Sequence, residues 1–176
     1  MFYAYHRLQE AGYEVYMAAP EKKKLQFVVH DFVDGFDTYT EKLGHTREAD
    51  LAFRDVDPSD YVAVVIPGGG APEYIRNDPE AQRMVRAFFD RNAPVAALCH
   101  GPQLLAAAGV LGGRTSSAYP ALAIDVELAG GTFEDGAAVV DGNLVSERAW
   151  PDNGQWIGRF LEVLEHAGVG AAAARV

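Results

Sequence analysis

Val62-Ala-Val-Val-Ile-Pro-Gly-Gly-Gly70 and Pro94-Val-Ala-Ala-Leu-Cys-His-Gly-Pro102 are the two stretches that decide the fold. Each is a short apolar run that ends in a glycine-containing loop, which is typical of a buried parallel strand and the turn after it. Between them, the Asp78-Pro79 pair predicts the first turn of a helix. Strands that alternate with helices predict an α/β fold with a mainly parallel sheet covered on both faces.

The chain before these stretches is less regular. Apolar residues at helical spacing predict a helix over residues 1–12, and alternation predicts a strand over residues 13–19. Residues 25–57 form a polar segment with several turn signals, so we expect short strands and loops there.

The chain after them contains a hairpin signal and a last helix. The Asp141-Gly142 pair predicts a tight turn between two strands, and residues 152–166 are predicted to be helical. We therefore expect one domain over residues 1–167, followed by a disordered tail over residues 168–176.

Composition excludes several classes of function. The 176 residues include 15 Lys and Arg against 25 Asp and Glu, a formal net charge of -10, which disfavours nucleic acids and anionic membranes as partners. A single cysteine permits no internal disulfide and no cysteine-rich zinc site, and no apolar run reaches the roughly 20 residues that span a bilayer. The N-terminus lacks the pattern of a signal peptide, so a cytoplasmic protein is expected.

Cys99 is the candidate nucleophile. It lies between an apolar strand and a helix start, with small residues two positions before and after it, as in a nucleophile elbow. Free backbone amides at the helix start favour the thiolate over the thiol. The alternative is that Cys99 is a buried, inert small apolar residue.

The neighbours of Cys99 supply the other candidates. The backbone amides of Gly69 and His100 are expected to form an oxyanion site, and the His100 side chain is a candidate general base. The alternative for the glycine loop is a simple chain reversal, and a phosphate cradle is disfavoured because no nucleotide-binding motif accompanies it. Glu73 is expected either to orient a histidine or to be a solvated acid in a first helical turn.

The remaining histidines show no metal-ligand spacing, so neither a metal site nor another cofactor is expected. They are His6, His30, His45 and His166. His166 is followed by Ala167 and not by an acid two residues on, which disfavours glutamine amidotransferase chemistry.

From its first helix to its last, the sequence resembles the ThiJ/PfpI family, which has a class I glutamine amidotransferase-like fold. The family includes the Parkinsonism-associated protein, PfpI-type intracellular peptidases and several glyoxalase or deglycase enzymes. The motifs that carry the resemblance are Val65-Ile-Pro-Gly-Gly69, Ala71-Pro-Glu-Tyr74, Ala97-Leu-Cys-His-Gly-Pro-Gln103, Leu105-Ala-Ala-Ala-Gly109, Tyr119-Pro120 and Val140-Asp-Gly-Asn-Leu144.

The resemblance implies a flavodoxin-like three-layer sandwich. It also implies a reactive Cys99 with His100 as its partner, an oxyanion site from the amides of Gly69 and His100, and Glu73 contributed by a neighbouring subunit. A homodimer or a higher homo-oligomer follows from that shared site.

The sequence departs from the family at two places. Gly70 stands where relatives commonly carry Arg, which puts the contribution of that guanidinium in doubt. The first strand of the family's sheet, together with a glutamate that hydrogen-bonds the cysteine, has no counterpart here. Either the native chain starts upstream of Met1, or its sheet lacks one interior strand, in which case we expect low stability as a monomer.

Two functions remain open. One is a cysteine-dependent hydrolase, peptidase or glyoxalase/deglycase-like enzyme that acts on small carbonyl compounds or peptides through Cys99. The alternative is a non-catalytic stress-response or redox-sensing protein in which Cys99 is reversibly oxidised.

Overall fold

The computed structural model describes residues 1–172 and 174–176. The helices are α1 (Phe2–Glu10), α2 (Ala71–Ile75), α3 (Pro79–Asp90), α4 (Pro102–Ala108), α5 (Ala123–Leu128) and α6 (Asn153–His166). The strands are β1 (Ala18–Ala19), β2 (Lys24–Asp31), β3 (Thr40–Glu48), β4 (Leu51–Ala52), β5 (Val64–Ile66), β6 (Val95–Leu98), β7 (Thr115–Ser116), β8 (Thr132–Phe133), β9 (Val139–Asp141) and β10 (Leu144–Glu147). None of the helices described is long and apolar enough to cross a membrane.

The main sheet has the order β5-β6-β10-β9, and only the β9–β10 pair is antiparallel. One face of the sheet packs on α3, α4 and α5, and the other packs on α1 and α6. This arrangement of helices on both faces of a mostly parallel sheet confirms the predicted flavodoxin-like fold.

Local sequence signals place several elements where they were predicted. The Asp78 carboxylate accepts hydrogen bonds from the backbone N–H groups of Glu80 (2.8 Å) and Ala81 (3.3 Å), which caps α3. Gly142 has a φ of 58° in the turn between β9 and β10, a conformation that glycine adopts without strain. These two predictions are confirmed.

The segment over residues 25–57 differs from the expectation of short strands and loops. It forms a long antiparallel hairpin of β2 and β3, whose strands have eight and nine residues. β2 alternates between exposed and half-buried residues, but most of β3 is exposed, so the sequence of β3 lacks the apolar alternation by which a half-buried strand is recognised.

The end of the chain also differs from the expectation. We expected a disordered tail over residues 168–176, but Ala174–Val176 pair with the segment after α1. The N–H groups of Glu14 and Tyr16 donate to the carbonyls of Ala174 and Val176, each at 2.9 Å, and Val176 is only 7% exposed. Residue 173 of the expected tail lies outside the described residues. Residues 174–176 are held in place because the segment after α1 and Val62 offer them backbone hydrogen-bonding groups.

The predicted strand over residues 13–19 is shorter than expected. Only Ala18–Ala19 forms a strand, which pairs in parallel with β4 and not with the main sheet. On the other side, the N–H of Val62 donates to the carbonyl of Arg175 at 2.8 Å. Residues 174–176 thus lie between the segment after α1 and the residues that precede β5.

An apolar cavity of about 660 Å³ continues from these residues toward the carboxyl end of the main sheet. Its walls include β1 and β5, and it extends to Cys99 and to the glycine loop after β5. The carboxyl ends of parallel strands are where α/β folds commonly place their ligand sites, and the cavity therefore makes this end of the sheet the candidate site.

Candidate active site

Cys99 lies in a sharp turn between β6 and α4. Its φ is 58°, an unusual left-handed value for a residue other than glycine. Two glycines permit this turn. A Cβ at Gly101 would lie 2.7 Å from the carbonyl oxygen of Ile66, and a Cβ at Gly68 would lie 2.6 Å from the Cβ of Cys99. The small residues of the motif are therefore required by the close approach of two strand ends.

The two backbone amides that the sequence analysis assigns to an oxyanion site lie beside the Cys99 thiol. The backbone N–H groups of Gly69 and His100 both donate to its sulfur, and these bonds lower its pKa. Burial is the larger effect, however, and the pKa of Cys99 lies above its ordinary value. The expected preference for the thiolate is therefore wrong for the resting site, because Cys99 is only 2% exposed.

His100 turns toward Cys99 although it is the next residue in the chain. Its Nδ1 lies 3.2 Å from the cysteine Sγ, and its ring stacks on Tyr119 with 5.4 Å between the ring centroids. Burial lowers the pKa of His100, and the charge of Glu73 opposes this effect. Since the thiol pKa is raised and the imidazole pKa is lowered, the resting pair is a neutral thiol beside a neutral imidazole.

Glu73 is placed near this pair but not in contact with it. It is exposed in the first turn of α2, and its charge reaches His100. Among the described residues, Glu73 forms no hydrogen bond with His100. Within one chain, the structure brings together Cys99, His100 and Gly69 and leaves Glu73 at the rim.

Glu147, the last residue of β10, lies beside the site although no sequence motif marks it. It is fully buried, and neither carboxylate oxygen has a hydrogen-bond partner among the described residues. Burial raises its pKa to about 9, with a smaller contribution from Asp152. Its backbone carbonyl accepts a hydrogen bond of 3.0 Å from the Cys99 N–H. The available signal is an acidic residue in a short strand that begins with the apolar pair Leu144-Val145.

A ring of aromatic side chains around the mouth of the site was also missed. Tyr39 lies between His30 and Tyr119, with centroid distances of 4.4 and 5.4 Å, and Trp150 lies 5.6 Å from His30. The hairpin of β2 and β3 brings His30 and Tyr39 to this position. Nothing in the local sequence relates that hairpin to Cys99, so only the tertiary structure places it there.

No group of three or more His, Cys, Asp or Glu side chains in the described part of the chain is arranged to hold a metal ion. The chemistry that the residues themselves offer is nucleophilic attack by sulfur. An adjacent imidazole can accept the thiol proton, and two amides can hold an oxygen anion beside the sulfur.

Comparisons with known proteins identify the family of this chain. The model of the DJ-1/PfpI family matches residues 1–163. A protein named Deglycase PH1704 from Pyrococcus horikoshii is 40% identical over 165 residues, which cover 94% of this chain and 91% of that protein. A protein named DJ-1 homolog D from Arabidopsis thaliana is 41% identical over 167 residues, and the chain spans 43% of its length.

Solved structures show the same fold. A ThiJ/PfpI domain protein from Brachyspira murdochii superposes with a TM-score of 0.82 at 22% identity, over 94% of this chain and 88% of that one. A two-domain protein from Anabaena variabilis, with DJ-1/ThiJ/PfpI-like and ferritin-like domains, gives a TM-score of 0.78 at 30% identity. The match covers 97% of this chain and 44% of that one. On these matches, and with Cys99 in its strand–turn–helix setting, the chain belongs to the DJ-1/PfpI family.

Proposed function

We propose that this protein is a cysteine-dependent enzyme of the deglycase or glyoxalase type, which acts on small carbonyl compounds or on their adducts with proteins. The observation that carries the proposal is the 3.2 Å contact between Cys99 Sγ and His100 Nδ1, in a turn where two amides point at the sulfur. The relatives named deglycases, which the chain matches over most of their length, support the same chemistry.

The first step starts from the neutral pair. The thiol proton passes to Nδ1 of His100 while the sulfur forms a bond to the carbonyl carbon. The π electrons of the carbonyl move onto its oxygen, which the amides of Gly69 and His100 hold as they hold the sulfur beforehand. The imidazolium then returns the proton to that oxygen, so that a hemithioacetal forms without net change in protons.

We extend the proposal to the location, the substrates and the assembly of the protein. We place the protein in the cytoplasm, with small carbonyl compounds or peptides as substrates and no nucleic acid or membrane as partner. Homo-oligomers that bring Glu73 of one chain to His100 of another fit the exposed position of Glu73, because within one chain the two side chains are not hydrogen-bonded.

A second candidate function is redox sensing. The observation that favours it is that both amides donate to the sulfur itself, so they are placed to bind the oxygens of a sulfenic or sulfinic acid. In that case mild peroxide would modify Cys99 stoichiometrically, while methylglyoxal and peptide substrates would be left unchanged.

Turnover of methylglyoxal and of a methylglyoxal-modified peptide tests the proposal. We expect lactate to form with the wild-type protein, and Cys99→Ala and Cys99→Ser to lose at least 10³-fold in kcat/KM with an unchanged circular dichroism spectrum. His100→Gln should lose roughly 10²-fold or more. The matched control is His166→Gln, an exposed histidine at the end of α6. Full activity of Cys99→Ala would rule the proposal out.

A further inference from the structure

The mouth of the site contains a second imidazole that the proposed mechanism does not use. His30 on β2 and Glu41 on β3 are directly opposite in the hairpin register. Nε2 of His30 lies 2.9 Å from Oε2 of Glu41, and the His30 side chain is only 11% exposed. A carboxylate that accepts a hydrogen bond from Nε2 fixes the tautomer and leaves Nδ1 as the basic nitrogen.

His30 borders the same cavity as Cys99. A Cβ built on Gly69 would lie 3.8 Å from Cε1 of His30, so the imidazole edge adjoins the residue whose amide donates to the cysteine sulfur. The charge of His30 is also close enough to His100 to lower the pKa of that residue. Tyr39 and Trp150 pack on the His30 ring and restrict its orientation.

The chemistry of an α-oxoaldehyde requires a second base. After the hemithioacetal has formed, a hydrogen must leave the aldehyde-derived carbon as a proton, and its electron pair must form an enediolate double bond. The carbon that carried the ketone then takes up that proton. His100 already transfers the protons on oxygen and sulfur, so a second base is needed for the proton that moves between the two carbons.

We propose that His30, held by Glu41, is the catalytic base that carries the proton from the aldehyde-derived carbon to the carbon that carried the ketone. This inference rests on the proposed function. The C–H electron pair passes into the enediolate, and His30 then gives the proton to the former ketone carbon. The proton of the hydroxyl group on the aldehyde-derived carbon moves through His100 to the oxygen on the former ketone carbon. The aldehyde-derived carbon is thereby oxidised to a thioester, and the former ketone carbon is reduced to an alcohol. Water then hydrolyses the thioester, which releases lactate and the Cys99 thiol.

Steady-state kinetics of His30→Gln with methylglyoxal test the inference. We expect kcat to fall roughly 10²- to 10³-fold with KM within threefold of the wild type. With deuterium on the aldehyde carbon, the primary isotope effect on kcat should increase, since C–H cleavage becomes rate-limiting. The rate at which iodoacetamide alkylates Cys99 should stay within twofold, because His30 does not touch the sulfur.

The control is His45→Gln, an exposed histidine on the same hairpin, which should leave all three measurements within twofold of the wild type. Glu41 is a positioning residue, so Glu41→Gln should lower kcat about tenfold at constant KM. The double variant should be no slower than His30→Gln alone, since both changes act on one unit.

The outcomes separate this inference from the proposed function. Wild-type turnover with an unchanged kcat in His30→Gln overturns the role of His30 alone. A lower kcat with an unchanged isotope effect, or with equally slow alkylation of Cys99, also overturns it and indicates a structural role. If the wild-type protein forms no lactate although Cys99 is alkylated, the proposed function fails and this inference fails with it.

Discussion

The reactivity of Cys99 is set by two opposing effects at a single sulfur atom. Two amide hydrogen bonds favour the thiolate, but burial outweighs them and raises the thiol pKa. The neighbouring imidazole is neutral for the same reason, since burial lowers the pKa of His100. In the proposed mechanism, proton transfer within this pair therefore accompanies the attack on substrate and does not precede it.

The raised pKa predicts how alkylation of Cys99 depends on pH. Only the thiolate reacts, so the iodoacetamide rate should rise about tenfold per pH unit from pH 7 and show no plateau near neutrality. At pH 7.5 the rate should be lower than that of N-acetylcysteine in the same buffer. Mass spectrometry of the labelled protein measures it, and a plateau below pH 8 would contradict the raised pKa.

The raised pKa of Glu147 predicts that the free energy of unfolding falls as the pH rises. Its pKa is about 9 in the folded protein against 4.5 in the reference state, so the folded state binds the proton more tightly. This contribution is complete below pH 4.5 and is lost progressively up to about pH 9; at pH 7 the loss is roughly 3 kcal/mol.

Glu147→Gln removes the ionisation and keeps the side-chain shape. At pH 8 we expect this variant to be more stable to urea than the wild type by roughly 4–5 kcal/mol, and at pH 5 the two should agree within about 1 kcal/mol. The exposed residue Glu134 supplies the control, since Glu134→Gln should leave stability unchanged at both pH values. Equal stabilities of Glu147→Gln and wild type at pH 8 would show that the carboxyl is solvated.

At the scale of the elements, the site depends on how closely two strand ends approach each other. β5 and β6 are parallel neighbours, and each ends in a loop that carries part of the site. Gly101 lies against the backbone of both strands, so its missing side chain is a packing requirement and not a need for a special φ.

Gly101→Ala should therefore destabilise the protein. The new methyl group would meet the carbonyl of Ile66 and the backbone of Leu98, which cannot move independently of the sheet. We expect a loss of roughly 2 kcal/mol in urea unfolding, together with slower alkylation of Cys99. Gly158→Ala is the matched control: it lies in α6 with open space around it, and it should stabilise the protein by about 0.5–1 kcal/mol. Equal stability of Gly101→Ala and wild type would contradict the close approach.

At the scale of the whole molecule, the last described residues of the chain connect the β1–β4 sheet to the main sheet. Ala174–Val176 make backbone hydrogen bonds to Glu14 and Tyr16 on one side and to Val62 on the other. The apolar cavity begins where this segment ends. The connection between β1 and the main sheet thus depends on three residues.

Deletion of residues 174–176 should lower the free energy of unfolding by about 2 kcal/mol. The loss of one buried valine and four backbone hydrogen bonds exceeds the entropy gained by three residues. Urea unfolding measures the change. Arg175→Ala is the control, because its half-exposed ion pair with Glu14 contributes at most about 0.5 kcal/mol. If the deletion is as stable as Arg175→Ala, these residues do not hold the sheets together.

Local signals in the sequence determined the part of the site built on contiguous residues. The apolar run before Cys99, the small residues around it and the cap at Asp78 act over a few residues, through steric contacts and backbone hydrogen bonds. These local effects make the turn at Cys99, the amide of His100 and the start of α3 predictable, whereas the amide of Gly69 reaches the sulfur only because β5 and β6 pair side by side.

Only the tertiary structure decided what surrounds that turn. His30 and Tyr39 reach the cavity because a hairpin distant in sequence folds over it, and Val176 is ordered because it meets unpaired strands. The pKa values of Cys99 and Glu147 were unpredictable for the same reason: desolvation depends on every group that excludes water from a side chain, and those groups are assembled by the fold.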